Sequence, residues 1–130
     1  MPFAQLEDLR IHYDLAGPSS APILVFSNSL GSNLSMWDPQ ASALQKEFRV
    51  LRYDTRGHGQ SSVTPGPYSI DQLARDVVGL LDKLQLERVH FCGLSMGGQT
   101  GMWLALNAPI RPVIVPSRPI RRPMFASDER

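Results

Sequence analysis

Gly93-Leu94-Ser95-Met96-Gly97 sets a serine between two glycines, directly after an apolar run and directly before a helical stretch. A G-x-S-x-G pentapeptide in that setting reads as a nucleophile elbow, where a strand reverses into a helix with the serine at the apex. Each residue type has a reason. The serine is held in a strained backbone conformation, and side chains two residues to either side would collide in so tight a turn, so 93 and 97 are glycine. Gly98 adds room where helix packs on strand. A serine at a helix N-terminus sits among free N–H groups and at the positive end of the dipole, which favours developing negative charge. The chemistry is acyl transfer, with Ser95 as nucleophile and the Met96 N–H as one oxyanion donor. The plainer alternative is a surface Gly/Ser turn.

A second oxyanion donor is expected from the loop after the third strand. That loop is Ser27-Asn28-Ser29-Leu30-Gly31, and the Ser29 N–H is the candidate, a simple connecting loop being the alternative. A third signature, Asp54-Thr55-Arg56-Gly57-His58-Gly59-Gln60-Ser61, combines turn glycines with charged groups. Asp54 and Arg56 read as braces between loops, not as reacting groups. His12 reads as a surface strand residue, His90 as a packed or sheet-edge residue, and Cys92 as a small buried hydrophobe. No Cys/His/carboxylate cluster has metal-ligand spacing, and no loop resembles a phosphate cradle.

These residues need a scaffold, and the pattern supplies one. Residues 3–7 and 10–15 alternate apolar and polar as a hairpin does. Pro22–Phe26 and Val89–Cys92 are short apolar runs of fully buried strands, and Phe48–Asp54 is a further strand. Residues 38–47 and 96–107 read as helices. The clearest helix opens at Ser69, with Gln72 placed to complete a capping box. Ile70, Leu73, Ala74, Val77, Leu80, Leu81 and Leu84 then form one apolar stripe, read as core. A hairpin followed by strand–helix repeats implies an α/β architecture, a parallel sheet covered on both faces.

The 130 residues are 42% hydrophobic and 19% charged with a net charge of +1. That balance points to a globular protein and argues for neither nucleic acid nor membrane partners. No apolar run reaches the length of a membrane span. The lone cysteine and the lack of a visible signal peptide make the cytoplasm the expected location. The last stretch differs in composition. Residues 110–130 hold five arginines against two acids, four of the eleven prolines and none of the ten glycines.

With its signatures in this order, the chain resembles the α/β-hydrolase superfamily, and more narrowly the 3-oxoadipate enol-lactonases of bacterial aromatic catabolism. Ser27–Gly31, Met36-Trp37, Arg52–Gly59, Tyr68-Ser69-Ile70 and Cys92–Gly98 carry the likeness. Ser27-Asn28 stands where the superfamily more often has His-Gly, a change typical of the enol-lactonase branch. The resemblance implies the N-terminal half of that fold over residues 1–109. It implies a small ester or lactone substrate, attack by Ser95 on the lactone carbonyl, oxyanion donation from Met96 and Ser29, and no cofactor. A serine nucleophile argues against the dehalogenase and epoxide-hydrolase branches, which use aspartate there. Carboxylesterase, perhydrolase and C–C hydrolase activities stay open, as does the oligomeric state.

The likeness ends at residue 109. Triad order in this fold is serine, acid, histidine, yet none of the 35 residues after Ser95 is a histidine, and Asp128 and Glu129 are the only acids there. His58 lies on the wrong loop for that order. The segment 110–130, with Val113-Ile114-Val115 held between prolines, is expected to be disordered or out-of-frame sequence. A Pro/Arg-rich recognition tail is the alternative. A truncated, inactive hydrolase is therefore expected, and a non-catalytic module built on a hydrolase half is the rival.

Overall fold

The computed structural model describes residues 2–108. The segment 110–130, including Val113–Val115, Asp128 and Glu129, lies outside the described residues. Five strands form one sheet: β1 (Phe3–Leu6), β2 (Leu9–Ala16), β3 (Ile23–Ser27), β4 (Arg49–Tyr53) and β5 (Val89–Gly93), in spatial order β1-β2-β4-β3-β5. β3 runs parallel to both β4 and β5, with Val25 opposite Leu51 and Phe91. The hairpin joins through β2, which is antiparallel to β4 (Tyr13 opposite Tyr53), so the sheet is mixed and its parallel part is β4-β3-β5.

Successive residues of a strand point to opposite faces, and β3 is apolar on both because both faces are covered, while β4 puts Val50 on one face and Leu51 on the other. Val25, Leu51 and Phe91 pack under α2 (Ile70–Lys83) and α3 (Met96–Asn107), against Ala74, Val77, Leu80, Leu81 and Leu104. Phe26 and Val50 face the other way, toward Trp37 and Ala41 of a 3-10 turn (Leu34–Trp37) and of α1 (Asp38–Leu44). The Phe26 and Trp37 rings stack at 4.5 Å. Each fully buried side chain such as Phe91 contributes about 2–3 kcal/mol of transfer free energy. Among the described residues β5 pairs on one side only, and Met102 and Leu106 of α3 are exposed. No helix among them is long and apolar enough to cross a membrane.

The α2 stripe is buried from Leu73 to Leu81, with Ile70 and Leu84 half-buried at its ends. Ser69 caps the helix by accepting the Gln72 N–H at 3.1 Å. The return half of the expected capping box is missing, because the buried Gln72 Oε1 has no hydrogen-bond partner. The two residues are thus separable. Ser69→Ala is expected to lower stability by about 1 kcal/mol. Gln72→Leu, which removes an unsatisfied buried oxygen, should leave stability unchanged or raise it. Urea midpoints of the two variants check this.

Candidate active site

Ser27, Asp54 and Ser95 all stand at the carboxyl ends of the parallel strands, where open α/β sheets hold their ligands. Only Leu94 and Ser95 separate β5 from α3. Ser95 takes φ 57° and ψ −111°, a conformation costing a non-glycine residue of the order of 1–3 kcal/mol. Its surroundings enforce it. Leu94 N–H donates to the Ser27 carbonyl at 3.2 Å, Gly97 N–H to Leu94 at 3.0 Å, and Gln99 N–H to Ser95 at 3.1 Å. The glycines leave no alternative residue. A Cβ on Gly93 would lie 2.3 Å from the Gly97 carbonyl carbon and oxygen, and one on Gly97 would lie 2.2 Å from the Ser27 carbonyl oxygen. Ser95 itself is exposed. The Met96 N–H is the first of α3, where no helical acceptor exists.

The loop between β3 and the 3-10 turn is pinned at both ends. At its start, Asn28 is 1% exposed, donates from Nδ2 to the Tyr53 carbonyl at 2.9 Å, and accepts the Trp37 indole N–H at 2.8 Å. Beside it the Ser27 hydroxyl meets the Tyr53 hydroxyl at 2.6 Å, and burial pushes the Tyr53 phenol well above its ordinary range. At its end, the Leu34 N–H donates to Asp54 Oδ1 at 2.8 Å. Between the pins Ser29–Asn33 forms an arch. It is closed from within by the Ser32 hydroxyl on the Ser29 carbonyl at 2.7 Å, and Gly31 takes φ 78°. Ser29 is half-buried and Leu30 exposed. The sequence did not mark Asn28, Tyr53 or Trp37 as a unit. The pairing of an amide with an indole nine residues away appears only when the arch folds back.

Asp54 is 2% exposed, and its carboxylate also receives the His12 Nδ1–H at 2.8 Å and the Gln60 N–H at 2.9 Å. Gly59 at φ 52° lets the turn close over it, since a Cβ there would lie 2.3 Å from the carboxyl carbon. Arg56 turns elsewhere, with a two-bond contact to Asp76 of α2 at 2.9 Å and a bond to Thr64 at 3.1 Å. The Asp76 hydrogen bonds hold its guanidinium above its ordinary value. The structure therefore brings Gly93, Leu94 and Gly97 against Ser27, sets Ser95 and Met96 in the turn between them, and ties the end of the Ser29 arch to Asp54, while Arg56 braces α2.

His12 corrects the sequence reading: it is buried, at 4% exposure, not a surface residue. β2 is an inner strand, so Ile11 faces the core while His12 lies under the 54–61 turn, bonded to Asp54. None of the histidines is bonded to Ser95. His58 Nδ1 lies 3.1 Å from the Arg56 carbonyl oxygen, and His90 lies edge-on to Phe48. Burial pushes the half-buried Cys92 thiol up, away from the reactive thiolate. No group of three or more His, Cys, Asp or Glu among the described residues is arranged to hold a metal ion.

A family model described as the alpha/beta hydrolase fold matches residues 22–115. The chain is 53% identical over 105 residues to 3-oxoadipate enol-lactonase 2 of Acinetobacter baylyi, which covers 81% of this chain and 39% of that protein. Among solved structures, the enol-lactonase of Burkholderia xenovorans LB400 superposes with a TM-score of 0.84 at 53% identity, over 88% of this chain and 45% of that one. An N-acyl homoserine lactone degrading enzyme, Est816, superposes with a TM-score of 0.81 at 32% identity, over 98% of this chain and 52% of that one. The chain spans about two fifths of the length of the curated relative, and about half of each solved one.

Proposed function

Because the chain belongs to the α/β-hydrolase fold family, we propose that it carries the nucleophile and oxyanion donors of a serine hydrolase for a small ester or lactone, with 3-oxoadipate enol-lactone the preferred substrate. The observation behind this reading is Ser95 itself: an exposed serine held at φ 57° on the N-terminus of α3, over glycines that tolerate no side chain. Ser95 Oγ attacks the lactone carbonyl, and the oxyanion is received by the N–H groups of Met96 and Ser29. The ring C–O bond then breaks, and the enol oxygen leaves with a proton. Water hydrolyses the resulting acyl-serine and frees the carboxylate. Asp54 positions the arch and takes no part in proton transfer. The lactone preference draws on the two lactone-acting relatives, at 53% and 32% identity.

The chemistry also needs a base to take the Ser95 proton, and His12, His58 and His90 are engaged with Asp54, the Arg56 carbonyl and Phe48 and not with Ser95. That observation favours a second reading, a hydrolase half that presents the serine without turning over. Labelling with a fluorophosphonate probe, combined with turnover of p-nitrophenyl acetate, separates the two. On the enzyme reading the probe adds to Ser95, Ser95→Ala abolishes the adduct, and turnover without a base stays on the order of 10³-fold above water. An adduct of equal yield in Ser95→Ala would sink the assignment of the nucleophile. Turnover at the rate of an intact triad enzyme would remove the second reading.

A further inference from the structure

We propose that His12, on the N-terminal hairpin, is a positioning residue for the oxyanion arch and acts through Asp54. The inference rests on the reading of Ser29 as an oxyanion donor. Asp54 Oδ2 is shared by two donors, His12 Nδ1 at 2.8 Å and the Gln60 N–H at 2.9 Å, which leaves Oδ1 to the Leu34 N–H at 2.8 Å. A carboxylate gripped on one oxygen presents the other in a fixed direction, and Leu34 is where the arch ends. The grip on β2 is threefold. His12 N–H donates to the Ser61 hydroxyl at 2.9 Å, that hydroxyl donates to the Asp54 carbonyl at 2.7 Å, and the Asp54 N–H donates to the His12 carbonyl at 2.9 Å. The imidazole cannot swing away, because it is buried and packed against Phe3 with ring centroids 5.1 Å apart. His12 thus links the hairpin to the Leu34 N–H through Asp54, and no other residue of β1 or β2 donates to the Asp54 carboxylate. A longer route runs beside it, in which Asp14 of β2 holds Arg52 at 2.9 Å and Arg52 donates to the Leu34 carbonyl at 3.3 Å.

Two substitutions test this in the full chain. His12→Asn carries an amide nitrogen close to the place of Nδ1 and keeps a donor to Asp54, whereas His12→Leu keeps the volume and removes it. Hydrogen exchange is read over residues 28–36 and, as internal reference, over α2. His12→Leu is expected to speed exchange in the arch by about tenfold with α2 unchanged, and to slow fluorophosphonate addition to Ser95 by a similar factor. His12→Asn should restore both. Unchanged arch exchange in His12→Leu would overturn the proposal. So would uniform acceleration of arch and α2 that Asn fails to rescue, since that is the behaviour of a merely structural residue. If wild-type Ser95 takes no probe, the hydrolase reading falls, while the exchange comparison still decides the role of His12.

Discussion

Replacing Gly97 with alanine is expected to lower stability by roughly 3 kcal/mol and to abolish fluorophosphonate addition to Ser95, the larger of two effects foreseen. The added methyl would sit 2.2 Å from the Ser27 carbonyl oxygen, 2.5 Å from its carbon and 2.9 Å from its Cβ. Two of those three atoms are backbone, so no rotamer change relieves the contact. Relief requires α3 or the end of β3 to move, and the latter carries the Ser27–Gly93 pairing and the bond from Leu94. Gly79→Ala provides the control. Its nearest neighbour is the Leu6 side chain at 3.4 Å, an ordinary contact in the middle of α2, and alanine is the better helix former there. A urea midpoint for Gly97→Ala within error of wild type would show that the elbow has slack.

Asp54→Asn is expected to cost roughly 2–3 kcal/mol and to loosen the arch as well. The carboxylate accepts three N–H donors and donates nothing. An asparagine oxygen can keep the Leu34 bond, but its amide nitrogen then faces the Gln60 N–H, two donors with no acceptor between them. A change of His12 tautomer relieves only the histidine side of that conflict. The effect should therefore appear twice: as a lower urea midpoint, and as faster exchange of the amides around Leu34 and Gln60. A loss of stability below about 0.5 kcal/mol would overturn the view that the three N–H donors depend on the Asp54 side chain.

Much of the fold was legible because it rests on local rules. The limits of α3 (Met96–Asn107) and the Ser69 cap follow from glycine placement, hydroxyl chemistry and apolar spacing. The elbow was legible for the same reason, since strand, serine and glycines are contiguous. What escaped were contacts between segments far apart in sequence. His12 reads as polar and exposed by alternation, and only the position of β2 beside β4 puts it under the 54–61 turn. Gln72 fits the capping-box spacing, yet its carbonyl oxygen turns away and finds no partner. Asn28 sits in a Ser/Asn/Gly loop and carries no sign that a tryptophan and a strand carbonyl will satisfy its amide.

The strand order has a kinetic consequence. The hairpin can close on its own, Leu6 against Leu9, as soon as those residues exist. β3 must wait for both neighbours, since Ile23 pairs with Arg49 on one side and with Val89 on the other. Closing the second of these is the longest chain-closure step in the sheet, and such steps come late because their entropy is lost before the contacts form. Ser27–Gly93 is the last rung of that ladder, and it is the rung against which the Ser95 turn is shaped. In a chain emerging from the ribosome, Ser95 thus takes its bent conformation only after nearly every other described residue has been made, and in earlier intermediates it is held in no such turn.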